Sequence, residues 1–448
     1  MSLLPKKPRY SGQSIIGILI AMAIFALLGN AIFTLVTSSY RLIGFTRARI
    51  TARHLAQDRV EFIRNLPFDN VGTSGGIPSG PLEQQVTINR NGLNFTTKTS
   101  IIYVDDDFDL TAPNDLLPTD YKRVRIEVSW DGLAASNRNP VVVFTDIAPE
   151  GVETTAGGGT LSILVFDSNG EPVPQADVSI EAPSADPAID LDLQTQNNGR
   201  IILPGAPACV DCYEIVVTKT NFSIDRTYSV AEVANPTKPH STVIEGDLTE
   251  VSFAIDTLGT LTISTYGNRA EGFATLPNTS VNLRGDKIIG TDASNQPVYK
   301  YDQIIITDGS GSNSLDLEWD NYTASPENPP THNFVGTKPL NPISLLPDDN
   351  INFDIALTGY SSDTLLTVFS EDGTNPIASV SATLVGTTSP ETVFSGQADD
   401  PDYGHSFFDN LNYGEIYTLT ATASGFLDYV DNFEIDGNLI DYIIMTPE

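Results

Sequence analysis

Few residues of this 448-residue chain have the types and spacing to do chemistry. Its two cysteines, Cys209 and Cys212, stand in GAPACVDCYEIVV. A zinc site would need two further ligands, and none stands nearby in sequence. A thioredoxin-like redox pair would need to open a helix in a βαβ setting, whereas here a strand follows. The pattern predicts a structural disulfide pinching a loop ahead of that strand, in a domain that meets an oxidising exterior; two free thiols are the alternative. Acids bunch in VDDDFD (Asp105, Asp106, Asp107, Asp109) and in ADDPDYG (Asp399, Asp400, Asp402). Hard oxygen ligands crowded into a loop are what Ca²⁺ needs, so Asp105, Asp107 and Asp109 are the candidate metal ligands. EF-hand spacing and its distal Glu are missing, and solvated acidic loops are commoner. No other cofactor is expected.

GTSGG, Gly72 to Gly76, formally matches the nucleophile-elbow pattern but lies in a Gly/Pro loop without the strand, turn and helix that pattern requires. His54, His240, His332 and His405 are scattered, with no H-E-x-x-H or paired spacing. No glycine-rich loop opens a helix to hold phosphate, and no basic stripe is interleaved with aromatics. Catalysis is not expected.

The elements that must carry these residues begin with an apolar run, Ile15 to Val36, directly behind Lys6, Lys7 and Arg9. As a helix it rises about 33 Å, enough for a hydrocarbon core of about 30 Å. It is longer than the apolar region of a cleaved secretory signal. The preceding cations put the amino terminus in the cytoplasm, although Arg41, Arg47, Arg49 and Arg53 lie on the far side. Apolar residues then continue at helical spacing through Ala52, Leu55, Ala56, Val60, Phe62 and Ile63 to the breaker Pro67. One helix from Gln13 to Leu66, membrane-like first and amphipathic later, is the expectation.

Net charge is −33, yet the first 66 residues hold nine Lys/Arg against two acids, leaving 15 basic and 55 acidic residues beyond them. Such a surface repels nucleic acid and anionic headgroups. Beyond Pro67, short runs rich in Val, Ile, Thr and Tyr alternate with Gly, Pro, Asn and Asp clusters, which reads as antiparallel β structure. LEQQVTINR, NFTTKTSIIYV, YKRVRIEVSW and NPVVVFTDIAP predict four strands of a small head behind the helix. Then a repeat begins: GTLSILVFDSNGEPVPQADVSI (from Gly159), GTLTISTYGNRAEGFATLPNTSVNL (from Gly259) and DTLLTVFSEDGTNPIASVSATL (from Asp363), with rhyming closers EVSFAID, INFDIALT and LIDYIIMT. Tandem β-sandwiches fit this spacing. The second repeat carries an insertion around Asp308 to Pro339.

The fold class is therefore α+β and then all-β, divided as 1–12 leader, 13–66 helix, 67–149 head, 150–158 linker, and sandwiches at 159–257, 258–359 and 360–448. The basic leader ending in Gly12, the start GQSII, the helix end LAQDRVEFIRNLPFD and DYKRVRIEVSW together resemble the amino-terminal segment of type IV pilins and type II secretion pseudopilins, minor pilins above all. The resemblance covers roughly residues 6–147. It implies a prepilin peptidase that cuts between Gly12 and Gln13, an N-methylated Gln13, residence in the cytoplasmic membrane before assembly, and later packing of the helix against other pilin subunits in an extracellular filament. One position departs: the family carries Glu at the fifth mature residue, where this chain has Gly17. That acid is tolerated in an apolar bundle because it pairs with a neighbour's amino terminus. Gly17 makes no such pair: either the position has drifted, or the subunit occupies a place where no neighbour needs that contact, as in the resembled family's tip-capping minor subunit, which likewise lacks the acid.

The run from Asp167 to Val178, with YEIVVTKTNF and YTLTATASGF, resembles the carboxypeptidase-regulatory sandwich of transthyretin-like or Ig-like type, best in the first repeat and least in the second. The function implied is a minor pilin displaying a sandwich stalk for adhesion to an unknown surface ligand. The alternative is a pseudopilin of a type II secretion-like export system. A third reading is an enzyme or carbohydrate-binding module on a pilin stem, and a sugar binder needs an exposed aromatic platform. Trp130 is expected in the core of the head, which leaves Trp319.

Overall fold

The computed structural model describes residues 15–104, 120–131, 140–149, 158–387 and 390–448, with helix side chains from Met22 onward. The leader with Gly12 and Gln13, the acidic run holding Asp105, Asp107 and Asp109, and the linker before Gly158 lie outside the described residues.

A single helix spans Ile15–Arg64, 50 residues without a proline. Several of its hydroxyls bond back within it: Thr34 Oγ1 donates to Asn30 O at 2.8 Å, Thr37 Oγ1 to Phe33 O at 2.9 Å and Ser39 Oγ to Leu35 O at 2.8 Å. Such back-bonding lets hydroxyls sit in apolar surroundings without a lost donor. The helix ends ahead of Pro67, which disfavours α geometry at the residue before it and leads into a 3₁₀ turn at Phe68–Asn70.

From Ala48 onward one stripe of the helix is buried: Ala48, Ala52, Leu55, Ala56 and Ile63. Three alanines in that stripe let the helix approach closely. It packs on an antiparallel sheet of Gln85–Arg90, Leu93–Val104, Tyr121–Trp130 and Val141–Ile147, neighbours in chain order. All four strands expected for the head are present. Asn91 and Gly92, at φ +53° and +79°, close the first hairpin with a two-residue loop, the left-handed geometry that matches strand twist. Burial alternates strictly along Tyr121–Trp130. Trp130 is buried, its ring 5.7 Å from Phe45 of the helix and 6.2 Å from Phe95. Lys122 shares that buried face, where Nζ donates to Phe68 O at 2.7 Å and lies 4.3 Å from the Phe68 ring. It ties the turn after the helix to the sheet, and burial pushes its ammonium down to about 8 against the opposing pull of Asp69.

Three two-sheet sandwiches follow. The first faces Asp177–Ala182, Ile189–Gln194, Cys209–Thr218, Asp225–Arg226 and Ser241–Val243 against Gly159–Phe166, Arg200–Ala206 and Leu248–Ala254. The second faces Gly259–Tyr266, Ser312–Leu317, His332–Lys338 and Asn350–Gly359 against Ser280–Gly285, Asp302–Ile306, Asp320–Pro326 and Ile343–Leu345. The third faces Leu365–Ser370, His405–Phe408 and Leu439–Ile444 against Ser381–Val385, Glu391–Phe394, Ile416–Thr422 and Tyr429–Glu434. Each encloses an apolar cluster, which in the first sandwich takes in Ile77 of the head and in the second Leu366 of the third.

Most strand pairs are antiparallel, as the turn-rich pattern implies, but the opening and closing strands of every sandwich pair in parallel. Parallel first and last strands bring the chain in at one end of a sandwich and out at the other, which suits a string of them. Gly159 and Gly259 open the first two sandwiches at a close backbone approach, since a Cβ would meet Ile244 O at 2.2 Å or Leu346 O at 2.8 Å. The stretch from Asp308 to Pro339, read as an insertion, instead supplies sandwich strands. Its last strand, His332–Lys338, covers the edge of the closing strand that the first and third sandwiches leave open. A separate small sheet of Asn235–Pro236, Ile288–Thr291 and Pro297–Tyr299 links the first sandwich to the second.

Candidate functional site

Among the described residues nothing packs on the helix from Met22 to Leu35. Met22, Phe25, Leu27, Ile32, Phe33 and Leu35 are 62–79% exposed, and leaving apolar surface in water costs roughly 25 cal/mol per Å². The helix is long and apolar enough to cross a membrane. Exposed Tyr40 and Arg41 stand where the apolar stretch ends, the residue types that anchor a span at the headgroups. Past them the same helix changes role. The Ala48 stripe grips the sheet, and Arg64 Nε donates to Thr145 Oγ1 at 2.9 Å. One half is thus free to meet lipid or other helices while the other is clamped. Gly17 lies in the first turn of the helix, before the described side chains.

Cys209 and Cys212 are joined by a disulfide, with Cα atoms 6.0 Å apart. Both belong to the strand Cys209–Thr218 rather than to a loop ahead of it. Between the pairs Val243↔Cys209 and Ser241↔Tyr213 this strand advances four residues while its partner advances two. The excess bulges outward with Asp211 at φ +48°, and the bond closes its neck. Asp211 N–H donates to Thr242 Oγ1 at 2.8 Å, and the Thr242 hydroxyl donates back to Asp211 Oδ1 at 2.9 Å.

The second acidic run separates into different environments. Asp399 is exposed, and Asp400 Oδ2 accepts from the Gln397 N–H at 3.1 Å. Asp402, read as a solvated residue, is instead buried and accepts from Arg269 Nη2 of the second sandwich at 2.7 Å. Gly336 permits this, because a Cβ there would meet Asp402 Cα at 2.4 Å. Burial raises the Asp402 carboxyl above the usual range, with Arg269 opposing. Among the described residues no three His, Cys, Asp or Glu side chains converge as a metal site.

His405, which sequence did not single out, is 4% exposed beside this joint. Its Nδ1–H donates to Tyr403 O at 2.7 Å, and burial pushes the imidazole down to about 4. His54 is exposed on the helix. Ser74 of GTSGG receives no histidine hydrogen bond among the described residues. Those glycines serve a loop folded on itself, as a Cβ on Gly72 would meet Ser79 O at 2.4 Å. Trp319 is no free platform, because Lys287 Nζ covers its ring at 3.4 Å and is held there by Glu318 at 2.7 Å.

No protein-family model matches the chain, and no curated protein matches it in sequence. Similar solved structures include the Bacillus anthracis TIE protein, 14% identical over 82% of this chain and 74% of that one, with a TM-score of 0.19. A shaft pilin of Lactobacillus rhamnosus GG is 11% identical over 43% of this chain and 98% of its own, at a TM-score of 0.16. The minor pilin of the Gram-positive pathogen Streptococcus agalactiae is 11% identical over 45% and 96%, at 0.21. Likeness at this level carries no argument about what this chain does.

Proposed function

We propose that this chain is a minor subunit of a type IV pilus-like surface filament, anchored by its helix in the cytoplasmic membrane before assembly and carrying its three sandwiches outward for adhesion. The observation that supports this reading is the division of one helix into an uncovered apolar half and a half clamped to a four-stranded sheet. The first half suits lipid and then the helices of other subunits; the second holds the head to that shaft. A disulfide in the first sandwich suits an oxidising exterior. The acidic surface beyond the helix argues against nucleic acid as a partner. Gly17 in place of an acid, together with three sandwiches that are hard to fit at every position of a shaft, favours the tip. We assign the chain no catalytic role and no resident cofactor.

Amino-terminal sequencing and quantitative mass spectrometry of sheared filaments test this directly. The expected product starts at Gln13 and is present in few copies per filament. A start at Met1, or a cut after Val36, would defeat the pilin assignment, and finding this chain as the dominant subunit would defeat the tip position alone.

A further inference from the structure

A cleft of about 1020 Å³ separates the outer face of the head sheet from the first sandwich. One wall is the face of the head turned away from the helix, including Ser100, Ile102, Arg123, Arg125 and Phe144. The opposite wall comes from Asp177–Ala182, Ile189–Gln194 and the turn that follows. Beside the cleft the head and the sandwich are joined by Lys98 Nζ to Asp192 Oδ2 at 2.9 Å, by the Asp190 N–H donating to Gly75 O at 2.7 Å, by the Gln84 amide donating to Asp190 O, and by Ile77, which is buried in the sandwich's core.

The charges of this cleft are matched internally. Besides Lys98 with Asp192, Arg125 pairs with Glu127 at 2.7 Å, and Arg123 takes both Asp146 oxygens at 2.8 and 3.0 Å. Asp177 Oδ1 accepts from the Gln194 amide at 2.8 Å. An anion would have to displace one of these carboxylates while meeting the field of a chain of net charge −33. What remains free is neutral hydrogen-bonding capacity. The side-chain amides of Gln175, Gln196 and Asn197 make no hydrogen bond among the described residues, and each offers two donors and an acceptor. Phe144, 59% exposed, adds an apolar ring.

Most small-molecule pockets are lined by apolar residues with a few polar groups; here that proportion is reversed. We infer that this cleft is a binding site for a neutral oligosaccharide. Neutral sugars carry no charge, their hydroxyls both donate and accept as the free amides require, and their C–H faces cover an aromatic ring. Phe144 takes the place that Trp319, capped by Lys287, does not fill. This inference rests on the reading that the domains beyond the helix are displayed outside the cell, but its test uses purified protein, so the two fail separately.

The full-length chain in detergent micelles is applied to an immobilised panel of neutral glucan, mannan and chitin oligosaccharides, with heparin and polygalacturonate fragments as charged comparators. Saturable binding to a neutral member is expected. Phe144→Ala and Gln196→Ala should each weaken it about tenfold, the scale of one lost contact, with melting unchanged because both residues are exposed. No saturable binding to any neutral member, binding that both variants leave intact, or preference for the charged comparators would overturn the inference.

Discussion

The joint between the second and third sandwiches combines apolar packing with a carboxylate buried across it, whereas the joint between the head and the first sandwich combines apolar packing with exposed polar pairs and an open cleft. At the distal joint Leu366 and Phe407 of the third sandwich pack against the core cluster of the second. Arg269 crosses over to Asp402 and to Phe394 O at 2.8 Å, and Gly336 lets the two backbones touch. At the proximal joint Ile77 of the head is buried in the core cluster of the first sandwich, with Ile102 and Tyr103 packed against it, but the crossing ion pair joins side chains that are 38% and 59% exposed, and a cleft lies beside it. Apolar burial stabilises both; the exposed pair adds little to the proximal one, whereas the buried Asp402 makes the distal one depend on its partner. The sandwiches are alike, so stiffness is set by the residues presented at their ends.

Acid should break this contrast most strongly. His405 folds neutral with a pKa near 4, against about 6.5 for a free imidazole. As pH falls below 6.5 the unfolded chain takes up that proton first, so stability present above pH 6.5 is lost progressively down to pH 4, by on the order of 3 kcal/mol. Asp402 acts in the opposite sense: its raised carboxyl binds a proton in the folded state first, which returns part of the loss. Asp400, Asp409 and Arg269 are the other charges around this joint. Calorimetry of the full chain should show the transition of the third sandwich falling between pH 6.5 and 4, and His405→Gln should flatten that fall. A wild-type transition level across this range would show that His405 does not govern the distal joint.

A smaller loss is expected from Arg269→Met, which leaves the Asp402 carboxylate buried without its partner. Breaking a fully buried pair costs about 3–5 kcal/mol, but the Arg269 side chain is 41% exposed, so about 2 kcal/mol is the expectation here. Pairing Arg269→Met with Asp402→Leu should recover most of it in a double-mutant cycle. Strict additivity of the two changes would mean that the ion pair does not join the sandwiches.

Much of the frame was legible because it rests on local pattern. The strand at Tyr121–Trp130 alternates apolar and polar residues, so its buried face could be read directly, with Lys122 the exception that reaches Phe68 O. Pro67 ended the helix as a local rule requires. The rhyme of the closing strands was visible, but their parallel pairing was not, since register across some ninety residues leaves no local mark. The distal joint was illegible for the same reason: Arg269 and Asp402 stand 133 residues apart, and an acid-rich run reads as solvated until a partner is seen. The cysteine pair was visible, but not the strand bulge around it, which only the Ser241–Val243 register reveals.

The smallest expected effect sharpens the proximal side of the comparison. Lys98→Ala removes the ion pair to Asp192 across the head joint. Both partners keep much of their hydration, so the pair has little desolvation to recover and its attraction is screened by salt. A change in stability of no more than about 0.5 kcal/mol is therefore expected, within the range of exposed pairs. The geometry should respond more than the energy does, because the Asp190 N–H to Gly75 O bond and the Gln84 amide on Asp190 O would remain as the polar ties beside the cleft. Spin labels on the exposed positions Thr87 and Glu181 should report a broader distance distribution in Lys98→Ala than in the wild type. Labels spanning the second and third sandwiches should stay narrow in both. A loss well above 1 kcal/mol with an unchanged distribution would place the proximal joint in the same stiff class as the distal one.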